Sequence, residues 1–310
     1  MAIGDLCKET SKQNTLIIMD KHVPLFIIFF ILSNLFVSSQ ERLYVEKTFR
    51  TTALYHQQTT ETTPTGGFTL LVEHVFGKTD ITSNEFINDF MGLDLSANIR
   101  FGFEIPVNQR FFLTIGRTRQ NKMLDLSAKY LLLRQTEDNA MPISLAIFSQ
   151  IYSMTDKFPS ATGLFNSDGS AFTYGLNHRF SYFNQLIIAR KINNSLSLQL
   201  SPCIIYKNIV QIDEANFKTA IPAGVRLKTG LTSSVLFEYT HIIDKKGNQT
   251  MPLGVAYEIQ TASHVFQIGI SNTNQLAKPT FYYNDNLDIS KGQLMLGFNL
   301  HKTFYLNKKS

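Results

Sequence analysis

Asp94, Arg100 and Glu104 sit at even positions of a stretch whose odd positions, Leu93, Leu95, Ala97, Ile99, Phe101, Phe103 and Ile105, are all apolar. Side chains of a strand alternate between two faces, so these three charges share a face opposite an unbroken apolar one. The same logic, less strictly applied, puts Arg117, Asp125, Lys129, Lys207, Lys218, Arg226, Glu238 and Glu258 on the polar side of later segments. A charge taken out of water without a partner is costly, so a mixed-sign set of this kind must be hydrated or paired. Two kinds of chemistry follow. The charges could line a narrow aqueous path and select among small hydrophilic solutes, or they could pair and fill an interior.

Covalent chemistry is harder to place. The chain has no Gly-x-Ser-x-Gly elbow and no HExxH metal spacing. His74, His178, His241, His264 and His301 fall on separate strand-like segments or at their ends, where a Ser-His pair could assemble only across neighbouring strands. The two cysteines, Cys7 and Cys203, exclude a disulfide framework and a cysteine zinc site. No catalytic, cofactor-binding or metal-binding residue is therefore assigned, and no cofactor is expected. Lys and Arg number 29 against 24 Asp and Glu, with no basic block, so nucleic acid is not an expected partner.

The elements that must position these side chains are strands. With 25 Phe, 12 Tyr and 44% hydrophobic residues the chain is too apolar for disorder, while a mean hydropathy near zero excludes a bundle of membrane helices. The uncharged run Val23 to Val37 is shorter than the roughly 20 residues a spanning helix needs, and the small residues Ser38 and Ser39 follow it. Residues 1–39 are read as a cleaved signal peptide, with Met19 as the better initiator. A polar, Thr-rich stretch over 40–66 is expected to lie in the periplasm, and 67–310 to form the folded domain.

Period-two alternation marks about twelve segments, roughly 68–76, 93–106, 111–119, 123–135, 142–152, 177–192, 195–210, 217–227, 232–243, 251–260, 264–272 and 292–306. Their connections alternate between short turns (107–110, 136–141, 193–194, 228–231, 261–263) and mostly longer loops such as 77–92, 153–176 and 273–291. That pattern predicts an all-β fold: a single antiparallel up-and-down transmembrane β-barrel with both termini at the short-turn, periplasmic end. A soluble sandwich or lipocalin-like barrel would alternate in the same way. Strand length, the mid-strand glycines Gly116, Gly224, Gly254, Gly269 and Gly297, and the apolar final strand ending near Phe304 favour the membrane. With no Trp, an aromatic belt must use residues such as Tyr130, Tyr206, Tyr239, Tyr257 and Phe304. The loops 153–175 and 273–291 are candidates to self-pack at a mouth or fold inward.

Short stretches spread over 65–306 carry a resemblance. They are His74-Val75-Phe76-Gly77, Gly92-Leu93-Asp94 through Asn98-Ile99-Arg100, Gly116-Arg117, and Lys129-Tyr130 to Arg134-Gln135. Gln185 to Lys191, Leu198 to Pro202 with Asn208, Gly254, and His264 to Gln267 with Asn272 complete them. In this order they resemble an uncharacterised outer-membrane β-barrel family common in Bacteroidota, which tends to have Arg where this chain has Val75. The resemblance implies a barrel in the outer membrane and supplies no activity. The leading expectation is passive or gated passage of small hydrophilic solutes. The alternatives are a closed structural or ligand- or partner-binding barrel, and a barrel-embedded hydrolase. Expected partners are outer-membrane lipid, the barrel-assembly machinery during insertion, and a small hydrophilic solute.

Overall fold

A computed structural model describes residues 43–158, 160–162, 169–210, 214–245, 247, 249–284 and 286–306. The expected signal segment and its Met19 start, Cys7, and the tail after Leu306 lie outside the described residues.

Twelve antiparallel strands close into a barrel. They are β1 (Gly67–Asp80), β2 (Asn98–Pro106), β3 (Phe111–Thr118), β4 (Met123–Leu133), β5 (Ser144–Met154) and β6 (Phe180–Lys191). β7 comes in two pieces, β7a (Leu196–Leu200) and β7b (Cys203–Lys207). Then follow β8 (Phe217–Lys228), β9 (Ser233–Ile242), β10 (Leu253–Gln260), β11 (His264–Ser271) and β12 (Gln293–Tyr305). Each strand pairs with its sequence neighbours, and β12 returns to β1, with Leu71 opposite His301 on one side and Gly102 on the other. Closure removes every sheet edge, which a strand-built protein in lipid requires.

Several boundaries differ from expectation, β1 running on to Asp80 and β6 starting at Phe180, and two of the differences have plain local reasons. β7 breaks at Ser201-Pro202 because proline has no N–H for the ladder. The break is bridged where Ser201 N donates to the Pro222 carbonyl at 2.8 Å and Leu186 N to the Pro202 carbonyl at 3.0 Å. β2 begins at Asn98 rather than Leu93. Gly92, at φ +85°, turns the chain beforehand, and Leu95 packs against the space beside Gly77. The residue-type alternation of 93–97 therefore continues past the strand's end.

The outer wall is apolar all round. Phe101, Ile115, Leu126, Ile147, Phe237 and Ile268 are each between 44% and 59% exposed. A contiguous apolar band of this extent is what lipid covers and water does not. Phe68, Phe111, Tyr130 and Phe304 ring the short-turn end of that wall, and Tyr182, Tyr206 and Tyr239 the long-loop end, while Tyr257 lies between. Part of the inner wall is apolar too. Phe148 and Tyr152 of β5, Phe183 and Ile187 of β6, Ile205 of β7b, Ala220 of β8 and Ile242 of β9 point inward and are buried. Strands apolar on both faces are the mark of a filled interior.

Candidate functional site: an occupied lumen

The interior is filled by two segments of the chain itself. The first is the stretch before β1. Its start is tied to the turn after β4, where Val45 N donates to the Gln135 carbonyl at 3.0 Å. It then enters the barrel from the short-turn end, reverses at Ala53–Gln58, where Leu54 N meets the Gln57 carbonyl at 2.7 Å, and returns to Gly66. Residues 48–63 thus make a finger whose tip residues Leu54 and Tyr55 are each 1% exposed. This corrects the expectation of a periplasmic stretch over 40–66. Thr-rich sequence suits water, but it suits a polar lumen equally well.

The wall receives the finger from many sides. Glu104 of β2 accepts from the Thr52 and Thr63 hydroxyls, both at 2.6 Å. Lys129 of β4 donates to the Thr52 carbonyl at 2.7 Å. Gln199 of β7a reaches the Gln58 carbonyl at 2.8 Å, and Asn299 of β12 the Tyr55 carbonyl at 2.8 Å. Glu238 of β9 accepts the backbone N–H groups of His56 and Gln57 at 2.8 and 2.9 Å. The turn at the tip leaves two adjacent amides without a partner in its own backbone, and this carboxylate satisfies both.

The mid-strand glycines make room for this contact. Glu238 stands between Gly224 and Gly254 in one cross-strand row, so no side chain on either flank hides its carboxylate. A methyl group at Gly224 would lie 2.5 Å from Leu54 Cδ1, and one at Gly297 2.5 Å from Tyr55 Oη. Gly116 serves a different contact, since a methyl there would meet the guanidinium of Arg100 and the carboxylate of Asp125.

The second insert comes from the long-loop end. The connection between β11 and β12 folds inward and carries a short helix, Lys278–Phe281, that is buried throughout. Phe281, Tyr282 and Tyr283 pack on the inward apolar side chains of β5 to β9. Tyr282 stacks on Phe183 at 5.8 Å. The two inserts meet inside the barrel, where Lys278 Nζ donates to the His56 carbonyl and the His56 and Phe281 rings are 5.7 Å apart. Of the two candidate loops, 273–291 is thus the inward one. In the other, Phe158 stacks on Tyr174 at 4.3 Å, under Arg179 at 4.2 Å, so its described residues pack on themselves at the mouth.

Many of the interior charges pair with one another. Arg100 holds Asp125 through two hydrogen bonds, at 2.7 and 3.0 Å, and Glu73 at 2.5 Å. Gln150 also donates to Asp125, and Tyr152 to Gln150. Arg226 and the finger's Arg50 share Glu258 at 3.2 and 3.4 Å. Lys218 meets Glu214 at 3.0 Å, and Lys207 lies beside the Tyr283 ring at 5.2 Å. Of the lumen candidates read from sequence, Asp94 and Arg117 lie elsewhere. Asp94 is exposed in the loop before β2, for the boundary reason given above. Arg117 sits on the outward face of β3, because its register is set by Thr114, Gly116 and Thr118 pointing in. The sequence reading missed Glu73, whose segment reads as apolar on both faces. It also missed Arg50, Glu61 and Lys278, which lie outside the strands.

Burial sets the protonation of the inserts. The His56 imidazole is pushed down to about 3 by burial and then by the Lys278 ammonium. Glu61 is pushed up by burial, against hydrogen bonds from the Phe49 and Thr48 amides. The one Ser-His contact at hydrogen-bond distance among the described residues joins sequence neighbours, Ser263 Oγ and His264 Nδ1 at 2.9 Å, in an exposed turn. No carboxylate hydrogen-bonds that imidazole among the described residues, so nothing orients it as a base.

A closed sheet with an apolar outer wall and a paired polar interior is a barrel made for lipid. The chain belongs to the family described as membrane bound beta barrel domain (DUF5777). The family model matches residues 49–304, so its span begins inside the finger and not at β1. Among solved structures, this DUF5777 chain is similar to the KdgM porin at 8% identity and a TM-score of 0.46, over 76% of this chain and 99% of that one. It is similar to the NanC porin at 8% identity and 0.46, over 76% and 100%. It is also similar to a triple mutant of the Rhodopseudomonas blastica porin at 8% and 0.31, over 67% and 55%. No curated protein matches it by sequence.

Proposed function

We propose that this chain is an outer-membrane barrel that is closed at rest, its interior a folded core and its binding surfaces at the two mouths. The observation that carries this reading is the finger, hydrogen-bonded inside the lumen to β2, β4, β7a, β9 and β12. Passive passage, the leading expectation from sequence, would need a continuous water path past the finger. Interior charges that pair with one another and with the finger serve packing rather than solute selection. In this reading the short turns and both termini face the periplasm, as in outer-membrane barrels generally. Lipid and the insertion machinery are its partners on the way to the membrane.

Gated passage has one observation in its favour. The finger is held by hydrogen bonds with Glu, Gln, Asn and Lys side chains, and clefts of about 430 and 450 Å³ flank it at the short-turn end. Planar-bilayer recording separates the two readings. A variant with residues 48–63 replaced by a Gly-Ser linker stays silent if the aromatic loop 273–291 also closes the core. It conducts if the finger alone is the gate.

A further inference from the structure

Arg117 is an arginine on the lipid side of a membrane strand. Its cross-strand neighbours are Phe101 and Leu124, which are 48% and 45% exposed on the same outer wall. An outward cation is costly at the bilayer midplane and costs almost nothing at the interface. Arg117 occupies the next-to-last position of β3, at the long-loop end, which sets it at headgroup level. Other cations gather there. Arg117 Nη1 donates to the Lys122 carbonyl and the Thr155 hydroxyl, both at 2.7 Å. Arg119 reaches Ser96, and Lys157 follows Asp156, the carboxylate paired with Lys122 at 2.9 Å. Arg117 Nε and Nη2 make no hydrogen bond among the described residues, so donors remain for a ligand. Asp156 and the exposed Asp94, two residues before Ser96, still leave the cations Arg117, Arg119, Lys122 and Lys157 in excess.

We infer that this rim patch binds the headgroup of a lipid bearing more than one phosphate, in the leaflet at the long-loop end, with its acyl chains lying along Phe101, Ile115 and Leu124. Several cations spread along a rim match several phosphates on one headgroup, and guanidinium groups favour phosphate through paired N–H donors. The inference rests on the membrane span and not on the closed lumen, so conductance results leave it untouched.

The test titrates the refolded full chain, in phosphatidylcholine nanodiscs, with diphosphoryl lipid A and counts bound lipid by native mass spectrometry. Lipid A should be retained over phosphatidylcholine. Arg117→Gln and Arg119→Gln should each weaken retention about fivefold at low salt, from the worth of one basic side chain at a charged membrane surface. Arg190→Gln, an exposed arginine at the short-turn end, should change nothing. If Arg117→Gln does not fold, Lys157→Gln, whose ammonium makes no hydrogen bond among the described residues, reads the same patch. Equal retention of the two lipids overturns the inference. So does lipid A binding that these rim variants leave intact.

Discussion

Glu238→Ala tests the seat of the finger at its strongest single contact. The carboxylate accepts two backbone N–H groups, from His56 at 2.8 Å and Gln57 at 2.9 Å, and is 4% exposed. A hydrogen bond to a charged acceptor is worth about 1.5–3 kcal/mol, and a buried amide left without a partner loses that much. Two such bonds amount to roughly 3–6 kcal/mol. Part of this is recovered because removing the carboxylate also removes a buried charge, so about 3 kcal/mol is the working figure. At 1.4 kcal/mol per tenfold, the equilibrium for finger release should rise about a hundredfold. Amide hydrogen exchange in detergent micelles reads that equilibrium directly. Residues 52–59 should lose about two decades of protection, while the amides of β2 and β3 keep theirs. Glu238→Gln, which keeps one acceptor oxygen, should fall between. Unchanged protection at His56 and Gln57 in Glu238→Ala would refute the reasoning, because it would mean the finger is held without this contact.

Gly297→Val should destabilise the barrel by about 1–3 kcal/mol through overpacking against Tyr55 Oη, measured as the shift in urea midpoint. Adding Tyr55→Phe, which removes only the hydroxyl, should recover part of it, and no recovery would mean that the clash is with the His74 carbonyl of the neighbouring strand. Arg100→Met should cost about 3–5 kcal/mol by stranding Asp125 and Glu73, and the double variant with Asp125→Asn should regain much of that in the same melt. Acid should loosen the finger. His56 is held neutral inside, with its pKa near 3, whereas a released finger carries an imidazole near 6.5. The released state therefore takes up the proton, and seating weakens as pH falls from about 6.5 toward 3. Glu61, raised by burial, acts in the opposite sense above its ordinary value, because its seated form holds a proton that the released form gives up. The protection factors of residues 52–59, taken relative to the intrinsic exchange rate at each pH, should fall across that window in the native chain, and His56→Gln should remove most of the fall.

The wall was legible in the sequence and its filling was not. Alternation such as Phe101-Phe103-Ile105 against Arg100-Glu104 reports a strand with two unlike faces, and pairing order follows from hairpin connections, so the closed all-β barrel could be read directly. Alternation does not report where a strand stops. Asp94 therefore reads as part of a strand that in fact begins at Asn98, while Arg117 shares its face with Leu113 and Ile115, so charge alone is a poor guide to its side. The finger lacks any period of its own, since it is a turn held by hydrogen bonds to Glu104, Glu238 and Asn299 and not a strand in a regular ladder. Its trace lay in the wall. Gly224, Gly254, Gly269 and Gly297 all fall on inward positions of neighbouring strands, and smooth ground of that kind implies something lying on it. A second trace was the apolar run Leu186-Ile187-Ile188-Ala189 of β6, which has no polar face to give to a water-filled lumen.

The most direct measurement is the reactivity of a single cysteine placed at the finger's centre. Thr59 is fully buried and Leu43, before the finger, is 73% exposed. In a chain otherwise free of cysteine, Thr59→Cys and Leu43→Cys would be treated with a bulky, water-soluble maleimide after reconstitution into lipid vesicles permeable to the reagent. A finger that fills the lumen leaves position 59 unlabelled until the barrel is denatured, while position 43 labels at once. Labelling of position 59 at the rate of position 43 in the folded barrel would contradict an occupied lumen.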